Sequence, residues 1–259
     1  MNHQSADLLP LPLREEVGGK NFFRALAALS LALLAGCRSQ PASPLRQYPL
    51  TDPRTTLATF SARAAAVTSV QAEANVELTD AKGQTVHLDS ALLLQPPDRV
   101  RLRAWKFGTA VFDLTVNDGG AFAFVPRDEA RPAMPAARQS ITQWVKLLNG
   151  HIATEQSRLT QRGDQLVVET PQGDLTLRCT VDRPTLTAER YELLDRNGKT
   201  RFTLALSDYR TTAAGPVWPM TILATSEQGV IRIQATDVTL NEPLPPAAFD
   251  PPARAERLP

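Results

Sequence analysis

The chain has 259 residues, 42% of them apolar and 21% charged, a balance that supports a packed domain and excludes a disordered one. Its 28 basic residues stand against 27 acidic ones, a net charge of +1. With no basic surplus to neutralise a phosphate backbone, nucleic acid is excluded as an expected partner.

The first feature along the chain is an export signal. Lys20 and Arg24 precede an apolar run from Ala25 to Ala35 that is broken only by Ser30. The run is too short to cross a hydrocarbon core of about 30 Å as a helix. A basic start, a short apolar centre and small residues before a cut point describe a secretory signal. Leu34-Ala35-Gly36-Cys37 resembles the lipobox of bacterial lipoproteins, where the cysteine becomes the acylated first residue. That resemblance implies a signal peptide over 1–36, fatty acyl groups such as palmitate on Cys37, and anchorage to a membrane. Each buried methylene contributes about 0.8 kcal/mol, so more than one chain holds firmly. An ordinary signal peptide and an uncut anchor are the alternatives. Residues 1–19 form a polar leader with Pro10 and Pro12, which also fits a start codon assigned too far upstream. Arg38, not aspartate, follows the cysteine. By the retention rule of many Gram-negative bacteria this favours the outer membrane, with the inner membrane as the alternative.

Residues 38–50, rich in Pro, Ser and Gln, read with Cys37 as a flexible tether reaching to residue 52. Asp52-Pro53 then caps a first helix over about 53–69, with Leu57, Phe60, Ala64 and Val67 on one stripe. From residue 71 the period switches to two: Ala72, Ala74, Val76 and Leu78 alternate with polar residues. A turn at Asp80–Gly83 leads to a strand carrying Val86, Leu88, Leu92 and Leu94, which Pro96-Pro97-Asp98 ends. Val100 and Leu102 alternate with three arginines, and Lys106-Phe107-Gly108 turns the chain into Phe112, Leu114 and Val116. Asn117–Gly120 is a further turn, before Ala121–Val125 with Phe122 and Phe124. This is an antiparallel meander with one apolar face per strand.

A proline-rich stretch, 126–137, interrupts it. Ser140 caps a second predicted helix with Ile141, Trp144, Val145 and Leu148 on one face and Gly150 at its end. Strands are predicted again over 158–161, 165–170, 174–181, 187–195, 200–209, 219–226 and 229–239. The reading is one mainly β domain over 53–250, followed by a proline-rich tail, 251–259. It is a strongly curved antiparallel half-barrel of about eleven strands, with two or more helices lidding the concave face. No internal repeat or second domain is evident.

Catalytic chemistry has no candidate constellation. His87 falls on the polar face of a strand and His151 just past a helix end, neither with a Cys, His or carboxylate at ligand spacing. There is no G-x-S-x-G, P-loop or H-E-x-x-H. Asp113, Asp118, Asp128 and Glu129 cluster loosely and are expected to be solvated. With Cys37 lipidated, Cys179 has no disulfide partner. It alternates with Leu175, Leu177 and Val181 and reads as a small buried apolar residue, a reactive thiol being the alternative. No metal, no cofactor and no enzymatic activity are expected.

The order helix, meander, helix, more strands resembles the LolA/LolB superfamily of bacterial lipoprotein carriers. Pro97-Asp98-Arg99-Val100-Arg101-Leu102 resembles the third-strand entry of these proteins. Arg101–Thr109 is similar to the LolB segment that carries an exposed leucine before Gly-Thr, and Gln143-Trp144-Val145 to the helix after the meander. Asp208-Tyr209, Trp218-Pro219 and Pro243–Pro246 with Phe249 resemble the C-terminal half of wider lipoprotein-sorting relatives. The resemblance covers roughly 53–250 and implies a hydrophobic cavity for acyl chains, delivered by a soluble periplasmic carrier. It also implies a loop, here at Phe107 beside Trp105, that contacts membrane or acyl chains; packing of Phe107 under its own loop is the alternative. Cavity-lining candidates are Val76, Leu78, Leu92, Leu94, Val100, Leu102, Phe112, Leu114, Phe122, Phe124, Trp144 and Leu148. Plain core is the competing role for each, because a one-residue slip reverses every strand face.

The expected function is a monomeric, lipid-anchored, periplasm-facing carrier that helps localise lipoproteins or lipids to the outer membrane. An envelope sensor or adaptor, a structural lipoprotein without ligand, and an enzyme acting on lipid or glycan rank below it in that order.

Overall fold

The protein is seen in a computed structural model that describes residues 44–125, 147, 152–212 and 216–258. Asp52 caps helix α1 (Pro53–Ala65): its Oδ1 accepts the Arg54 and Thr55 amides at 3.0 and 3.1 Å. The Thr55 hydroxyl and amide hold the Asp52 carboxyl below its ordinary value. The helix ends four residues before the predicted boundary, where Val67-Thr68 brings β-branched side chains that fit a strand better.

Thirteen strands follow among the described residues. The first five are β1 (Val70–Asp80), β2 (Thr85–Gln95), β3 (Arg99–Lys106), β4 (Thr109–Asn117) and β5 (Gly120–Phe124). The next seven are β6 (Arg158–Arg162), β7 (Gln165–Gln172), β8 (Leu175–Asp182), β9 (Thr187–Leu194), β10 (Thr200–Thr211), β11 (Val217–Ser226) and β12 (Gly229–Leu240). A short 3-10 turn (Pro246–Phe249) and β13 (Glu256–Arg257) close the chain. All thirteen belong to one antiparallel sheet in the order β13-β5-β4-β3-β2-β1-β12-β11-β10-β9-β8-β7-β6. The outermost strands, β13 and β6, do not pair with each other, so the curved sheet stays open. Two meanders, β1–β5 and β6–β12, meet within the sheet at the pairing of β1 with β12. Register shifts at Glu73/Ala74, Ala104/Trp105, Thr180/Val181 and Thr200/Phe202 add the local twist that bends such a sheet.

The strands predicted from 71 to 125 and from 158 to 239 all form, β1 and β12 each reaching one residue further; β13 is an addition from the proline-rich tail. The period-two pattern succeeds because each strand buries one face. Val76 lies opposite Leu88 and Ile233, Leu92 opposite Leu102, and Leu102 opposite Leu114. A parallel stripe runs from Leu78 through Ile231, Ala224, Leu204, Tyr191, Cys179 and Val168. Each fully buried Leu or Ile contributes roughly 1.5–3 kcal/mol. Helix α1 lies against β6 and β7, with Phe60 buried. Leu147, from the second predicted helix, is helical and 2% exposed. Trp144, Leu148 and His151 lie outside the described residues, as do Cys37, Asp128 and Glu129.

Phe122 and Phe124 depart from expectation. Leu114 pairs with Ala123, so the alanine faces the apolar side while the two phenylalanines, opposite Thr115 and Asp113, take the other face. There the C-terminal segment forms a strap. β13 pairs with β5, Phe249 is buried, and its carbonyl accepts from Asn117 Nδ2 at 2.9 Å. Asp113 is a second correction: it is 3% exposed, not solvated. Its carboxylate accepts Arg101 Nε and Nη2 at 3.0 and 2.7 Å. Asp118 does stand at the surface, paired with Arg99.

Candidate functional site

Two features stand out: a hollow under α1 and the tip of the β3–β4 hairpin. The hollow measures about 500 Å³, within the range of pockets that enclose small ligands. Phe60 lines it from α1, Val67 from the turn just after the helix, Tyr191 from β9, Leu206 and Tyr209 from β10, and Trp218 from β11. Arg46 and Tyr48, from the segment leading into α1, and Arg63 stand at its border. Tyr209 reaches it because Asp208 adopts a left-handed conformation (φ 53°), which breaks the alternation after Leu206. The Asp208 side chain stays exposed, and the Tyr209 hydroxyl donates to the Ala188 carbonyl at 2.6 Å.

The segment at Tyr48 is not free tether. Its amide donates to the Pro184 carbonyl at 2.7 Å, and the Arg46 and Arg63 guanidiniums lie 5.0 and 4.9 Å from its ring centroid. Nη1 of Arg63 also donates to the Thr185 and Leu186 carbonyls at 2.6 and 3.1 Å.

Of the predicted cavity residues, Val76, Leu78, Leu92, Leu94, Val100, Leu102, Phe112 and Leu114 are at most 1% exposed. They share one apolar face, but none borders the α1 hollow. Phe122 and Phe124 sit on the opposite face. The hollow therefore lies over β9–β11, not over β1–β5. Tyr209, Trp218 and Pro219 had a signal in the sequence, as part of the sorting-type motifs, without being marked as cavity residues. Arg46, Tyr48, Phe60 and Arg63 had none that pointed to a ligand.

At the hairpin tip, Phe107 and Gly108 both have positive φ, 50° and 72°. Lys106 pairs with Thr109 across them, a two-residue turn of the kind that favours Asn-Gly. A phenylalanine there costs about 1–2 kcal/mol of backbone strain. Phe107 is 94% exposed, so it does not pack under its loop, and Lys106 Nζ stands 5.8 Å from its ring centroid. Trp105 is half-buried on the outer face, paired with Asp89.

Nothing in the hollow is poised to react. Burial pushes the Cys179 thiol far above its ordinary value, and although a Tyr191 hydrogen bond works the other way, burial dominates. In the native protein Cys179 should resist iodoacetamide at mildly alkaline pH and react only in denaturant; fast labelling of its peptide in the native state would show the thiol to be accessible. Among the described residues there is no cluster of three or more His, Cys, Asp or Glu side chains that could hold a metal. No described helix is long and apolar enough to cross a membrane.

Three solved structures share this architecture. One is a putative outer membrane lipoprotein-sorting protein domain from Vibrio parahaemolyticus, 12% identical, covering 77% of this chain and 97% of its own, with a TM-score of 0.53. A DUF1329 family protein from Desulfovibrio piger is 13% identical, with coverages of 77% and 98% and a TM-score of 0.56. A LolA superfamily protein from Nitrosomonas europaea is 13% identical, with coverages of 78% and 99% and a TM-score of 0.51. The chain shares its fold with these three proteins. No protein-family model matches the chain, and none of the curated proteins does. The same curved sheet thus occurs at 12–13% identity, because alternation of apolar residues, rather than particular side chains, specifies it.

Proposed function

We propose that this protein is a lipid-anchored carrier of the bacterial envelope that holds acyl chains in the hollow under α1 and helps place lipoproteins or lipids in the outer membrane. The carrying observation is the hollow itself: an open sheet leaves apolar walls at Phe60, Val67, Leu206 and Trp218 that its own side chains do not fill. Cys37, as the acylated residue, ties the carrier to the membrane, and Arg38 favours the outer one. A soluble periplasmic carrier is the source of cargo. The protein binds and releases rather than catalyses, since the hollow's described lining holds no carboxylate, histidine or cysteine. If this is right, lipid extracted from the gently purified full chain contains stoichiometric acyl chains, detected by mass spectrometry. A native protein free of them would count against the proposal.

Phe107 is the membrane-contacting group of this carrier. An exposed aromatic ring held in a strained turn has a use outside the fold. Phe107→Gly removes that strain and should leave the full chain as stable as before or more so in urea. Losing one buried aromatic side chain should weaken delivery to vesicles about tenfold or more. Phe107→Glu should weaken it further. Unchanged delivery by both variants would remove Phe107 from the mechanism.

A further inference from the structure

The border of the hollow carries charge that the walls do not explain. Arg46 and Arg63 both line it, and its described lining includes no Asp or Glu. Among the described residues neither guanidinium has a carboxylate within ion-pairing distance. Glu189, whose charge reaches Tyr209, is instead hydrogen-bonded by Gln165 Nε2 at 2.7 Å. Asp208 pairs with Arg210 at the exposed surface.

The two arginines are also held in place. Both guanidiniums stand about 5 Å from the centroid of the Tyr48 ring, whose own backbone is fixed to Pro184. Arg63 spends Nη1 on two carbonyls, and its Nε and Nη2 hydrogens have no acceptor among the described residues. Each gains a cation–π contact with Tyr48, but two cations brought to one apolar mouth also repel each other. An anion received between them removes that repulsion and satisfies the idle donors, most strongly as a forked contact to carboxylate or phosphate.

We infer that the hollow takes an amphiphile with an anionic head, its acyl chain between Phe60, Leu206 and Trp218 and its carboxylate or phosphate between Arg46 and Arg63. This rests on the carrier reading above and narrows it, because a cavity for hydrocarbon alone would treat neutral and anionic lipids alike.

The test uses the full chain in phosphatidylcholine vesicles containing photoactivatable lipids of matched chain length. Two are anionic, a fatty acid and a phosphatidic acid; two are neutral, a fatty alcohol and a diacylglycerol. Labelling is read on the peptides containing Tyr191 and Trp218. At least one anionic probe should label about tenfold more than its neutral partner, as expected for a charge-assisted hydrogen bond. Which anionic probe does so distinguishes a carboxylate from a phosphate head. Arg46→Gln should erase most of that preference without touching the fold, since the Arg46 side chain makes no hydrogen bond to backbone among the described residues. Arg46→Gln with Arg63→Gln should erase it fully. Leu206→Trp, which fills the hollow, should stop labelling by every probe. Equal labelling by anionic and neutral probes, or a preference that survives the double substitution, would overturn the assignment while leaving acyl binding intact. No labelling by any probe would overturn both.

Discussion

Replacing Arg101 with methionine should destabilise the protein by about 3–5 kcal/mol, the cost of leaving a buried carboxylate without its partner. Asp113 is 3% exposed. Its described polar contacts are Arg101 Nε and Nη2, the Thr115 hydroxyl at 3.2 Å, and a long 4.0 Å approach from Arg103. Arg103 is 58% exposed and too distant to take over. The same substitution removes one tie to the strap, because Arg101 Nη1 donates to the Ala248 carbonyl at 3.0 Å. Urea unfolding measures the loss. The double variant Arg101→Met with Asp113→Leu separates the causes: removing both charges should recover most of the stability, because a matched apolar pair tolerates burial. The remaining deficit then reports the strap. A single variant as stable as the parent would mean that Asp113 is solvated after all.

Gly229→Ala should cost about 3 kcal/mol or more. Gly229 opens β12 at φ 143°, a conformation that L side chains rarely adopt. A methyl group added there would fall 2.2 Å from the Thr79 carbonyl oxygen and 3.2 Å from Asp80 Cα. Those atoms are backbone, so the strand rather than a side chain must yield. The position matters because Gly229 pairs with Asp80 at the end of β1–β12, the ladder at which the two meanders meet within the sheet. The expected result is a lower urea midpoint and earlier exchange of amides along β1 and β12, read by hydrogen-exchange mass spectrometry. Alanine with full stability at 229 would require a local rearrangement that moves β12 off Thr79.

The strands were legible because alternation is local. Ala72 to Leu78 and Val100 to Leu102 announce their buried face within a few residues, and the structure keeps it. The α1 cap was legible for the same reason: Asp52 needs only Arg54 and Thr55 to act. Phe122 and Phe124 were misplaced because large rings suggested an inward face. What decided it was register against β4 and a covering strap more than a hundred residues later. The hollow was missed for a related reason. Its walls come from α1, β9, β10 and β11, and Tyr209 turns inward through one left-handed aspartate that a strict period of two cannot foresee. Arg46 and Tyr48 were hidden in a proline- and serine-rich stretch, where composition spoke for a tether and only the docked fold gives Tyr48 a partner.

A sheet that never closes keeps two margins where another chain's backbone could add on, the usual route to edge-to-edge aggregation. This molecule shields them differently. Beside β5 the margin is covered by its own C-terminus, through the Glu256 and Arg257 rungs and a Leu258 amide bonded to the Ala121 carbonyl at 2.8 Å. At the far margin β6 is short, and Arg158 and Arg162 put positive charge at both of its ends. A second copy approaching there would set like charges side by side. The openness that creates the hollow is thus compatible with a molecule that stays single.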